Sequence, residues 1–250
     1  MAAKSPADSV KLSLDLIESA KRELLFLKNI DSKGFYYEPE VIKCAIYRYE
    51  KCWLPLLRAD AGLGTRRSPP EDVHWVWHVH MLSPTKYAAD CTRKHGAVFA
   101  HSLAAAGGSA EAEWEASYPE EPFHLSSQQV RDRRGVWGEH LSDLSYDIEG
   151  AALRQRMFYY QVSLPHFMDD RFLHEALVRY KMYLFLKKQN RDTFLVPCYD
   201  IDLIWHTHQV ICTHFESLMR LKNSIDILLK DTSPGIRDGL QNNTRLHAAP

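Results

Sequence analysis

Apolar residues recur at helical rather than strand spacing along most of the chain. Val10, Leu14, Ile17, Leu24 and Leu25 mark a first amphipathic helix over 9–29, with Ser9 as its N-cap and Asn29, Asp31 and Gly34 as breakers. Pro39 suits a first helical position. Val41, Ile42, Ala45, Ile46, Tyr49, Cys52, Trp53 and Leu56 continue a stripe whose end Pro55 blurs. Residues 60–70 (DAGLGTRRSPP) read as a loop. A helix opens at Pro70-Glu71-Asp72 and runs through VHWVWHVHML, and Ser83-Pro84 marks a break with a new helix over 85–95. Residues 101–122 predict a loop with one short helix, and 126–135 and 144–161 predict weaker helices. The period is strong over 169–189, through Phe172, Leu173, Ala176, Leu177, Tyr180, Tyr183 and Leu184, and again from Tyr199 to Leu221. The tail from Asp231 is polar and predicted to fray. Few stretches alternate with period two, so the pattern predicts an all-α fold.

Two windows carry the same marks. Ala45, Arg48 and Tyr49 match Ala176, Arg179 and Tyr180, 131 positions on (45 to 176). Pro69, Asp72, Val76, Trp77, His78 and His80 match Pro197, Asp200, Ile204, Trp205, His206 and His208, 128 positions on (72 to 200). The difference falls in the intervening loop, where length changes are tolerated. The pattern predicts two pseudo-symmetric helix-loop-helix units packed into one helical domain. The first spans 9–100 and the second 138–225, with 101–137 an irregular connection, 1–8 a disordered N-terminus and 226–250 a flexible tail.

Composition narrows the class. The chain has 250 residues with 45% hydrophobic and 25% charged content, enough for a well-buried core. Its 31 basic and 32 acidic residues leave a net charge of −1, which argues against a chain built mainly to bind nucleic acid or an anionic membrane. No apolar run is long enough to span a bilayer, and the N-terminus lacks an apolar signal core. Cys44, Cys52, Cys91, Cys198 and Cys212 show no CxxC spacing, so free buried thiols in a cytoplasmic setting are expected. There is no Gly-rich phosphate loop, no nucleophile elbow and no HExxH.

The 13 histidines are the candidate chemistry. At about 100° per residue, Val73, Val76, Trp77 and His80 share one face of their helix, as do Ile201, Ile204, Trp205, His208, Cys212 and Phe215 of theirs. His80 and His208 are therefore expected to point inward near the seam between units. The other face carries His74 with His78, and Asp202 with His206, each at i, i+4. Asp72 and Asp200 sit in first turns, where a carboxylate complements the helix dipole. Three readings follow. His74, His78, Asp202 and His206 could converge on zinc or non-haem iron, with His80 and His208 as further candidate ligands. Alternatively, His78 and His206 could act as acid–base groups oriented by Asp72 and Asp200. Or the histidines satisfy core hydrogen bonds and the aspartates cap helices. For Arg48 and Arg179, ion pairs with Asp72 and Asp200 are favoured over an anion clamp.

The blocks DVHWVWHVH (Asp72–His80) and YDIDLIWHTH (Tyr199–His208), with YPEEPF (Tyr118–Phe123) between them, resemble the glycine-rich domain-containing protein family known best from plants. The resemblance covers most of residues 10–222. It implies the family's N-terminal region, long catalogued as a domain of unknown function, and so little biochemistry. Longer members carry a glycine-rich stretch, RNA-binding-like motifs and links to stress and growth responses. This chain has only 11 glycines, so roles attached to that stretch do not carry over. The expected function is a metal or small-molecule site at the seam, catalytic through histidine if the protein is an enzyme. The alternative is a non-catalytic interaction protein of stress or developmental signalling with structural histidines, for which a protein partner is expected.

Overall fold

Four of the described helices begin where an aspartate or serine side chain caps the first turn. A computed structural model describes residues 6–10, 12, 14–103, 107–190, 193 and 195–211. Helix α1 (Leu16–Lys33) starts at Asp15, whose carboxylate accepts from the Ile17 and Glu18 N–H groups, and stops at Gly34 with φ +62°. This corrects the predicted start at Ser9. The chain forms a 3₁₀ turn at Pro6–Ser9 and enters α1 only at the Asp15 cap. Leu14 and Leu25, expected on the buried stripe, are exposed; Leu16, Ala20, Glu23, Leu27 and Ile30 take that face.

Helix α2 (Pro39–Arg48) passes through a π-turn (Tyr49–Trp53) into α3 (Leu54–Ala59). Pro55 has no N–H to return to the preceding turn. The helix widens ahead of it, and the Leu54 N–H reaches the Tyr49 carbonyl. The blurred helix end at Pro55 is thus a π-bulge in a continuous rod. The expected loop at 60–70 contains one short turn, α4 (Leu63–Arg66). There a Cβ on Gly64 would stand 2.5 Å from the Trp77 ring, so only glycine lets this turn lie on the core.

Helices α5 (Glu71–Met81) and α6 (Pro84–His95) appear as expected, as does one short helix in 101–122, α7 (Glu111–Ser117). The segment 126–135 splits into α8 (Ser127–Asp132), closed by a Ser126–Gln129 capping box, and α9 (Arg134–Gly138). Helix α10 (Ile148–Val162) and helix α11 (Asp170–Gln189) are capped by Asp147 and Asp169. Helix α12 is described over Tyr199–Ile211; its expected continuation to Leu221, the tail and Cys212 lie outside the described residues. The fold is helical, and among the described residues the only bridge-type pairing is the isolated Ser68–Ser109 contact.

Packing centres on α1 and α5. Helix α1 lies against α10, α11 and α12, while α5 lies against α2, α6 and α10 and touches α12. Trp53, Trp75, Trp77, Trp114 and Trp137 are fully buried. Residues Asp72 through Met81 of α5 are all buried, so this helix has no solvent face. The sequence predicted two contrasting faces; the structure encloses both. Cys44, Cys52 and Cys91 are buried free thiols, whereas Cys198, expected to be buried, is exposed. No described helix is long and apolar enough to cross a membrane.

Candidate functional site

Enclosure of α5 forces every polar group on it to find a partner or go without. Asp72 is taken by Arg48: Nε donates to Oδ2 at 2.8 Å and Nη2 to Oδ1 at 3.3 Å. The same guanidinium donates to the Pro122 and Phe123 carbonyls at 2.7 and 3.2 Å and lies over the Trp114 ring. The YPEEPF segment is thus the backbone wall that completes a buried arginine's hydrogen bonds. In the second window Arg179 Nε donates to Asp200, at a site open to solvent. Both aspartates are committed to arginine, as favoured from sequence.

The last histidine of each motif is also held. Tyr49 Oη and His80 Nδ1 are 3.0 Å apart, and Tyr180 Oη and His208 Nδ1 are 2.8 Å apart. Both ring pairs meet edge to face with centroids at 5.8 Å. His80 Nε2 lies 3.4 Å from Asp90, which also accepts from the Ser145 N–H and hydroxyl and from Arg93. Burial lowers the pKa of His80, only partly offset by Asp90, and takes His208 down to about 4. Tyr49→Phe and Tyr180→Phe are each expected to cost about 1–3 kcal/mol, by leaving a buried ring nitrogen unpaired. Denaturant midpoints check this, and a neutral result for both would remove the structural role.

The first histidines behave differently. His78 is fully buried, stacked on Trp75 and beside Phe26. Its Nε2 stands 3.2 Å from Oε1 of Glu23, a fully buried residue on α1. The two are at ion-pair distance but not aligned for a hydrogen bond. Neither Glu23 oxygen nor either His78 ring nitrogen has a hydrogen-bond partner among the described residues. One turn away, His74 Nε2 meets His101 Nε2 at 2.7 Å. Burial, with the neighbouring histidines, takes His74 down to about 3 and His101 well below its usual value.

On α12 His206 faces Asp202 at 3.6 Å with partial exposure. Burial raises the Asp202 carboxyl, weakly offset by His206. Among the described residues no group of three or more histidine, cysteine, aspartate or glutamate side chains is arranged to hold a metal ion. His74, His78, Asp202 and His206 therefore do not stand as one ligand set. His80 and His208 face tyrosines instead.

Sequence reading missed Glu23 and His101. For Glu23 a signal existed: it falls at helical spacing among Leu16, Ala20, Leu27 and Ile30, a charged residue on an apolar stripe. His101 lies in a loop, where spacing says nothing about contacts. Elsewhere an open cleft of about 400 Å³ is lined by Lys33, Tyr36, Glu71, Asp72, His124 and Ser126. Its Glu71 is already bound by Asn29, Lys33 and Tyr36.

The family described as glycine-rich domain-containing protein-like matches residues 1–90 and 95–217. Glycine-rich domain-containing protein 1 of Arabidopsis thaliana is 40% identical over 222 residues, which is 82% of this chain and 27% of the relative. Glycine-rich domain-containing protein 2 of the same plant is 38% identical over 218 residues, 82% of this chain and 28% of the relative. The chain thus spans just over a quarter of the length of these curated relatives. No solved structure matches it. With most of its length matched, including both histidine blocks, the chain belongs to the glycine-rich domain-containing protein-like family.

Proposed function

We propose that this chain is a ligand-holding helical module made of two copies of one unit. In this reading the repeated motif holds the architecture, and the buried cluster of Glu23, His74, His78 and His101 is the chamber where an occupant would be held. Duplication is supported by contacts that recur in kind. Arg48–Asp72 is matched by Arg179–Asp200, and Tyr49–His80 by Tyr180–His208. Phe26 against His78 is matched by Phe158 against His206, with centroids at 5.1 and 4.3 Å. Helix α1 packing on α12 answers α10 packing on α5. The units differ at the chamber. Counting back from Phe158 as Glu23 is counted back from Phe26 gives Gln155, an amide, and Asp202 stands where the first unit has His74.

The observation that carries the reading is the Glu23–His78 pair. A fully buried carboxylate and imidazole without hydrogen bonds cost several kcal/mol. Such a cost persists where a bound species offsets it. The occupant is small, because Glu23 and His78 have no exposed surface. Proton transfer near neutral pH is the weaker use of the chamber, since His74 and His101 stay neutral there. His80, His208, Asp72 and Asp200 are structural, as in the scaffold alternative. Three buried free thiols fit a cytoplasmic setting.

The test is thermal unfolding of Glu23→Leu in protein freed of small ligands. Removing the unpaired carboxylate relieves its desolvation cost and is expected to stabilise the fold by about 1–3 kcal/mol. At about 2–4 °C per kcal/mol, Tm should rise by several degrees. A drop in Tm would mean Glu23 is a structural partner of His78 and would end the ligand-holding reading.

A further inference from the structure

We propose that the outer face of α11 is a docking surface for an acidic, proline- and tryptophan-bearing segment of a partner polypeptide. This rests on the reading of the chain as two copies of one unit, because the first copy shows how such a face is covered.

At the 131-residue offset the rod from Pro39 to Ala59 answers α11 (Asp170–Gln189). The two rods carry the matched arginines Arg48 and Arg179 and differ in what lies on them. In the first, α8 and α9 pack on α2. The Trp114 and Trp137 rings lie 4.9 and 5.9 Å from the Arg48 guanidinium, and Glu121 stands 3.7 Å from its Nη1. Pro122 and Phe123 give it their carbonyls, and its side chain has no exposed surface.

Helix α11 packs instead on α1, α12 and the 3₁₀ turns at Pro6–Ser9 and Pro165–Met168. Arg179 keeps its aspartate and lies over the Phe172 ring, but its side chain is 42% exposed. Among the described residues its Nη groups donate to no carbonyl. Val178, Met182 and Leu186 stand beside it at i, i+4 and i+8, each 41–50% exposed.

The face itself states what fits it. A guanidinium with forked donors to spare takes backbone carbonyls or a carboxylate, and its plane attracts an aromatic ring. Methionine and arginine among exposed aliphatic side chains have the composition of an interface. Backbone broken by proline keeps carbonyls outside any helix, free to accept. Residues 111–125 bring these groups together on α2. Residues 212–250, which follow the second unit as that segment follows the first, hold no tryptophan or tyrosine and no adjacent pair of acids. The complement is therefore assigned to a partner polypeptide.

The experiment titrates the full chain with a labelled synthetic peptide of residues 111–125 (EAEWEASYPEEPFHL) and reads fluorescence anisotropy. Saturable one-to-one binding is expected. Arg179→Met and Met182→Asp, each confirmed folded by circular dichroism, should weaken it by roughly tenfold or more, the loss of an interface anchor. A peptide carrying Trp114→Ala should lose as much. Met157→Asp, at an exposed position of α10, should leave binding unchanged. Absence of saturable binding, or binding that survives both α11 changes, would overturn the proposal. Sedimentation velocity of the free chain tests a second copy as the occupant: a dimer that Met182→Asp dissociates would mean the face pairs with itself, and would overturn it too. The thermal test of Glu23→Leu reads the chamber alone. A fall in Tm there with peptide binding intact would end the ligand-holding reading and leave this surface standing.

Discussion

Replacing Arg48 by methionine is expected to destabilise the fold by about 3–5 kcal/mol. The change leaves the Asp72 carboxylate buried without its partner, and it strips the Pro122 and Phe123 carbonyls of their donors. With marginal native stability of roughly 5–15 kcal/mol, that is a large share of the whole. Arg179→Met removes the corresponding partner of Asp200, but Arg179 is 42% exposed and water replaces the lost contact. Its cost should stay near 1 kcal/mol or below. Denaturant unfolding of the two variants side by side measures the contrast, and equal losses would contradict it. Arg48→Met combined with Asp72→Leu should recover part of the loss, since no isolated charge then remains buried.

Acidification should weaken the fold well before its carboxylates protonate. His74 (about 3) and His208 (about 4) are held neutral by burial, and His80 and His101 are shifted the same way. In the unfolded chain these rings take protons near pH 6.5. Their contribution is therefore complete above that pH and is lost as pH falls from 6.5 toward 3–4. At about 1.4 kcal/mol per pKa unit, the loss by pH 4 is on the order of 5 kcal/mol. Asp90, held below its usual range by His80, Ser145 and Arg93 against the cost of burial, adds to the loss only below about pH 4. Urea midpoints from pH 7 to 4 should fall steeply, and His74→Gln should flatten the slope. A level profile across that window would mean the rings are not buried neutral.

How much of this was readable in advance differs from element to element. Helix α11 follows the apolar period, and α5 and α6 open at the Pro70-Glu71-Asp72 and Ser83-Pro84 signals, because these cues are local. The start of α1 does not. Ser9 and Asp15 are equally good caps by type, and tertiary burial of Leu16 and Ala20 chooses the second. The i, i+4 relation of His74 and His78 was read correctly, yet its face was expected to contrast with the apolar one. Periodicity orders residues around one helix but cannot say how many neighbours enclose it.

The linear pattern by itself determined the helical class, the repeated arginine–aspartate and tyrosine–histidine marks, and the membership of His74 and His78 in one helical face. Those are consequences of a 3.6-residue turn, which is a local property. Only the tertiary structure decided that Tyr49 and Tyr180 take the last histidines, that YPEEPF supplies carbonyls to Arg48, and that Glu23 stands across from His78. Each of these joins residues tens of positions apart. Their approach is set by how helices dock, which depends on the shape and burial of the whole core rather than on any spacing within a segment.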